Sequence, residues 1–154
     1  MWLDKHLRHR RGYGIHSPYL YRIIRQGVML RKINGTRRDL FEELREKGVG
    51  RRIAIRLQNL CNLENFESWA IDGCADCRSL LVATEHCPIE LVEQMMASAT
   101  TNSSTLVLLH SAFNCQRRRE CRVLAEKHPS MSASNLQMTL LFNAAGLTKQ
   151  HIVI

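Results

Sequence analysis

Thr105-Leu106-Val107-Leu108-Leu109 decides the architecture of this chain. The run is apolar and unalternated, which fits a strand buried on both faces. Strands of that kind belong to parallel sheets covered by helices. The flanking sequence agrees. A basic helix is expected over roughly Gln116–Lys127, stopped at His128-Pro129 because the residue before a proline avoids the helical region. Upstream, Pro88 opens a helix to about Ser98, with Ile89, Leu91, Val92, Met95 and Met96 as its apolar set. The polar stretch Ser98–Ser104 reads as a loop. Leu80–Ala83 is a short strand, and Ser68–Gly73 is another that ends in an Asp-Gly turn signal. Leu136–Phe142 and Gln150–Ile154 read as two strands joined, hairpin-fashion, by Asn143-Ala144-Ala145-Gly146. Strands and helices thus alternate from about residue 67. The pattern predicts an α/β layer fold with a small, mostly parallel sheet and an antiparallel C-terminal edge.

Helices lead the chain. Ser17-Pro18 has the form of an N-cap and first helical residue. Leu20, Ile23, Ile24, Val28 and Leu30 follow at helical spacing, and Asn34-Gly35 closes the helix. Thr36 starts a second helix, with Asp39 near the capping-box position. A third spans about Arg51–Cys61. The 154 residues fit one domain: a basic arm at 1–16, a helical extension at 17–62 and the α/β part at 63–154.

The formal charge of +8 is concentrated at the front. Residues 1–56 hold 15 Lys/Arg against 5 Asp/Glu, and residues 57–154 hold 7 against 9. That bias fits nucleic acid or an acidic protein as partner, or simply a solvated face. Tyr13, Tyr19 and Tyr21 interleave with Arg10, Arg11, Arg22 and Arg25, as stacking and phosphate-binding residues would. No apolar stretch is long enough to span a bilayer, and no apolar region follows Met1-Trp2-Leu3-Asp4-Lys5. The expectation is a cytoplasmic protein with no membrane contact, whose six cysteines are reduced.

Arg10-Arg11-Gly12-Tyr13-Gly14-Ile15-His16-Ser17-Pro18-Tyr19 resembles the RxGxGxHSPF segment of bacterial class I S-adenosylmethionine-dependent methyltransferase-like proteins. Arg52–Leu60 is similar to that family's pre-sheet "LLFRLVNYF" helix. His128-Pro129 and the closing Lys149-Gln150-His151-Ile152-Val153-Ile154 are similar to its "hP" and "KQHFxI" elements. The resemblance covers both ends of the chain and implies a Rossmann-like domain. It places the first cofactor motif on Trp69–Asp76.

The chain departs from that family where the chemistry should be. A glycine-rich turn after the first strand and an acid ending the second would grip the cofactor's ribose. Here Asp72-Gly73 is followed by Cys74-Ala75-Asp76-Cys77, and Glu85 is the nearest acid to Leu80–Ala83. The family's Asp-Asp-Ile-His motif is replaced by His110-Ser111-Ala112-Phe113. The middle of the chain is also short of several strands. The expectation is a truncated Rossmann-like protein that no longer methylates and holds no cofactor. Any remnant pocket would be lined by Asp72, Gly73, Cys74, Asp76, His110 and Ser111, and only such a pocket would take S-adenosylmethionine. The alternatives are a basic binding module and a residual methyltransferase.

Three further constellations stand beside that reading. Cys74-x-x-Cys77 is open to structural, redox and metal roles, the last with His86 and Cys87 as the remaining ligands. Arg117 and Arg118, with Arg119 and Arg122, put positive charge early in a helix, against its dipole, and so join Arg10 and Arg11 as anion-binding candidates. A shortened fold also leaves a sheet edge or apolar face that would serve a homodimer.

Overall fold

The structure is a computed structural model that describes residues 17–154. The basic arm at 1–16, with Arg10 and Arg11, lies outside the described residues. The chain divides into two compact units, a helical one ending at Phe66 that also takes in Val153–Ile154, and a second at Glu67–Ile152.

In the helical unit, α1 spans Pro18–Ile23 and passes into a π-helical turn at Ile24–Val28. Ser17 caps it as expected, its hydroxyl accepting from the Leu20 amide at 3.3 Å. The second helix, α2 (Asp39–Glu46), starts three residues later than Thr36. Its start is held by one local and one tertiary bond. The Leu40 amide donates to the Asp39 carboxylate, and the Phe41 amide to Gln58 Oε1 at 2.8 Å. Gln58 lies on α3 (Arg51–Leu63), which carries a row of amides beside its apolar face. Asn59 accepts from the Asn34 amide at 2.7 Å and donates to the Lys32 carbonyl. Asn62 donates to the Asn34 carbonyl at 3.0 Å. These side chains stand in for secondary structure between the helices, where backbone groups would otherwise lack partners.

The second unit is the α/β part. Its elements are β1 (Trp69–Ile71), β2 (Leu80–Ala83), α4 (Ile89–Asn102), β3 (Thr105–Leu109), α5 (Cys115–Lys127), β4 (Met131–Ser134), β5 (Met138–Leu141) and β6 (Gln150–Val153). The six strands form one sheet in the order β1-β2-β3-β5-β4-β6. The first three run parallel, with Trp69, Leu80 and Thr105 in register. At the C-terminal edge β5 runs antiparallel to both β3 and β4. The mixed α/β architecture expected from Thr105–Leu109 is therefore present.

Leu81, Ala83, Leu106, Leu108 and Leu141 pack on one face with Val92, Met95 and Ala99 of α4 and Cys121, Leu124 and Ala125 of α5. The intervening Leu80, Val82, Val107 and Leu140 are also buried, which explains the unalternated strand sequences.

Three expectations need correction. The first helix ends with the π-helical turn at Val28, short of Asn34-Gly35. Ser98–Asn102 is the last part of α4, not a loop. Its polar side chains have helical partners: Thr100 and Thr101 donate to the Met96 and Ala97 carbonyls, each at 3.0 Å. Ser103, in the left-handed conformation, ends the helix. The closing strands are also not a hairpin across Asn143–Gly146. A strand unforeseen from sequence, Met131–Ser134, pairs with β5 and separates it from β6. Its alternating serines gave no apolar signal.

Candidate functional site

In parallel α/β sheets ligands bind beyond the carboxyl ends of the strands. Here those ends are followed immediately by Asp72 after β1, Thr84 after β2 and His110 after β3. Asp72 leaves β1 with φ +53°, a left-handed turn that aspartate tolerates through local hydrogen bonds. Its amide continues the ladder to the Val82 carbonyl at 2.8 Å. One carboxylate oxygen accepts from the Thr84 amide and the other from the Thr84 hydroxyl, both at 2.7 Å. Gly73 has no close approach to make: a Cβ there would meet only the Ile71 carbonyl oxygen, at 4.0 Å.

Arg117 spans the carboxyl ends of β2 and β3. It is 4% exposed. Its guanidinium donates to the Thr84 carbonyl at 2.9 Å, the Cys87 carbonyl at 3.1 Å and the Leu109 carbonyl at 3.4 Å. Glu120 sits 3.8 Å away as its ion partner. The residue expected to receive an anion is therefore a buried staple between the ends of two strands. Arg118 donates to the Ala112 carbonyl at 3.2 Å and is half-buried. Arg119 and Arg122 are exposed.

Asn114 was not foreseen from sequence. Its side chain caps α5 by accepting from the Arg117 amide at 3.0 Å, and it donates to Glu85 at 3.2 Å. Its place three residues before Arg117 is the N-cap spacing that could have disclosed it. Desolvation pushes the Glu85 carboxyl up, but hydrogen bonds from Asn114 and Ser111, with nearby His86, outweigh it and leave the group below its ordinary value. Ser111 accepts from the Asn114 amide.

His110 is 6% exposed, and its Nε2 meets the Thr139 hydroxyl at 3.1 Å. Among the described residues, its Nδ1 has no hydrogen-bond partner. Burial lowers its pKa and thus favours the neutral imidazole. At the other edge of the sheet His151 bridges two serines of β4, Nδ1 to Ser132 at 2.7 Å and Nε2 to Ser134 at 3.1 Å. This clamp was invisible without β4.

The structure does not gather the expected pocket. Asp72 and His110 follow the ends of β1 and β3, with β2 between them, and residues 72–79 run back along the sheet to its amino end. There Ser68, Ser79 and Ser104 directly precede β1, β2 and β3. Cys74, Asp76 and Cys77 are exposed on that connection. Nor do Cys74, Cys77, His86 and Cys87 come together. Cys87 is buried while the other three are exposed, and among the described residues no group of three or more His, Cys, Asp or Glu is placed to hold a metal.

The residues present do not fit S-adenosylmethionine. Both oxygens of the one acid ending β1 are engaged by Thr84. Gly73 shapes no close backbone approach, and Arg117 is closed on carbonyls. No family model matches the chain, and neither the curated proteins nor the solved structures give a significant match. Among the described residues, no helix is long and apolar enough to cross a membrane.

Proposed function

We propose that this chain is a non-catalytic, methyltransferase-like protein that keeps a Rossmann-like sheet without the cofactor chemistry. The observation that carries this reading is the double engagement of Asp72 by Thr84, at 2.7 Å to each oxygen. Asp72 closes a turn after the first strand. At the end of the second, where the ribose-gripping acid belongs, stands Thr84, and the nearest acid, Glu85, accepts from Asn114. Residues 72–79 are also the whole connection between two adjacent parallel strands, where a crossover helix is usual. The middle of the family's sheet has no room to return within it.

Thermal denaturation with S-adenosylmethionine and with S-adenosylhomocysteine tests the proposal. A ligand that binds only the folded state raises the midpoint by mass action. No shift is expected with either compound. A saturable rise that Asp72→Asn abolishes would restore the methyltransferase reading.

The second reading is a basic binding module. It is favoured by Phe113, which is 95% exposed in the turn before α5, close in sequence to the exposed Arg119 and Arg122. An exposed aromatic within ten residues of exposed arginines suits a base and its phosphates. Salt-dependent retention on single-stranded nucleic acid, lost in Phe113→Ala, would support it. Retention unchanged by that substitution would remove it.

A further inference from the structure

The connection from β1 to β2 presents the two thiols of Cys74-x-x-Cys77 at the surface. It has no helix or strand of its own, yet it is firmly held. The Ala75 carbonyl between the two cysteines accepts from Ser98 at 3.0 Å and from Asn102 at 2.9 Å, both on α4. The Cys77 carbonyl accepts from Ser79 at 2.9 Å and Ser104 at 3.4 Å. At the first end, Asp72 is fixed by Thr84. The loop is therefore a rigid mount for two exposed thiols.

The thiols have different surroundings. Cys77 Sγ lies 3.2 Å from the Ser68 hydroxyl and 3.6 Å from that of Ser79. Ser68 and Ser79 are themselves 2.6 Å apart. With Ser79 donating to the Cys77 carbonyl, Ser68 is the hydroxyl left to donate, to the Ser79 oxygen or to the sulfur once it is a thiolate. Hydroxyl donors stabilise a thiolate more than a thiol. The Ser68 hydroxyl draws the Cys77 pKa below its ordinary value. The buried thiols lie the other way: desolvation raises Cys61, Cys87 and Cys121 to about 11.

We propose that Cys74 and Cys77 are a redox pair that a hydroperoxide converts to a disulfide, with Cys77 the attacking sulfur and Cys74 the resolving one. Cys77 sulfur attacks the terminal peroxide oxygen. The O–O bond breaks, and an alcohol or water leaves with the thiol proton, so that Cys77 becomes a sulfenic acid. Cys74 sulfur then attacks Cys77 sulfur. The S–O bond breaks and water leaves with the Cys74 proton. Two electrons pass from the two thiols to one peroxide. The three-residue spacing is that of dithiol redox motifs, and the Ser68–Ser79 pair sets the order of attack.

Hydrogen peroxide with peptide mass spectrometry tests this on the full chain. The wild type should form the Cys74–Cys77 disulfide before the exposed Cys115 is oxidised. In Cys74→Ser, dimedone should trap the sulfenic acid on Cys77. In Cys77→Ser, Cys74 should react no faster than Cys115. Ser68→Ala should slow oxidation of Cys77 by about threefold, the loss of one modest hydrogen bond to the thiolate. Equal oxidation rates at Cys74, Cys77 and Cys115, or oxidised Cys77 that does not join Cys74, would overturn the proposal.

Discussion

The two ends of the three parallel strands were built from opposite materials. After the strands come Asp72, Thr84 and His110, joined by Arg117 and Glu85. Before them come Ser68, Ser79 and Ser104. At the carboxyl end the charged groups face the chain's own backbone: Asp72 closes on Thr84, and Arg117 on three carbonyls. At the amino end small hydroxyls hold a loop whose thiols face outward. The end where such folds usually bind ligands has become an internal joint. The end that usually only connects elements carries the reactive groups. Chemical capacity in this sheet depends on which polar atoms are left without an internal partner, more than on which residue types are present.

Arg117→Ala should have the largest effect. It removes a donor from the Thr84, Cys87 and Leu109 carbonyls and the ion partner of Glu120, and it opens a cavity, costing about 3–4 kcal/mol in denaturant unfolding. Iodoacetamide labelling of Cys77 under native conditions should be unchanged, since the joint and the thiol loop lie at opposite ends of the strands. Altered labelling would show that the two ends are mechanically one. Thr84→Val comes next, at about 1–2 kcal/mol, because one Asp72 oxygen loses its donor in a half-buried site.

The histidines sharpen the comparison through pH. Burial lowers the pKa of His110, His128 and His151 below the ordinary 6.5. Below about pH 6.5 the unfolded chain takes up protons that these folded imidazoles refuse. Stability should therefore fall as pH drops from about 6.5 toward the folded values, and these groups should add no slope above it. His110→Asn should remove part of that acid-side slope, by at most about one proton. An unchanged slope would mean that His110 titrates normally in the folded protein. The smallest effect belongs to Gly73→Ala. With open space at its Cβ, the change should fall within about 0.5 kcal/mol. A large loss would mean that the turn after β1 needs its glycine after all.

Much of the sheet was legible because its signals are local. Leu80–Ala83 and Thr105–Leu109 are continuous apolar runs, and both strands occupy those residues. Ser17-Pro18 marks a helix start by a local cap and His128-Pro129 a helix end by backbone sterics, and both do so here. What stayed hidden depends on distant partners. The start of α2 is fixed by Gln58, from another helix. The last turn of α4 is polar because Ser98 and Asn102 hold the Ala75 carbonyl. Met131–Ser134 is a strand because β5 and β6 flank it. Arg117 shows the same limit at the site. Its neighbours Arg118 and Arg119 have the same side chain, and only the fold distinguishes the buried staple from the solvated charges.

Calorimetric titration of the purified protein with S-adenosylhomocysteine addresses the closed carboxyl end most directly. With Asp72 held by Thr84 and Arg117 by the strand-end carbonyls, no saturable heat should be seen at ligand concentrations up to about 1 mM, which bounds the binding free energy as weaker than about −4 kcal/mol. A stoichiometric isotherm in the micromolar range, lost in Asp72→Asn, would contradict that account.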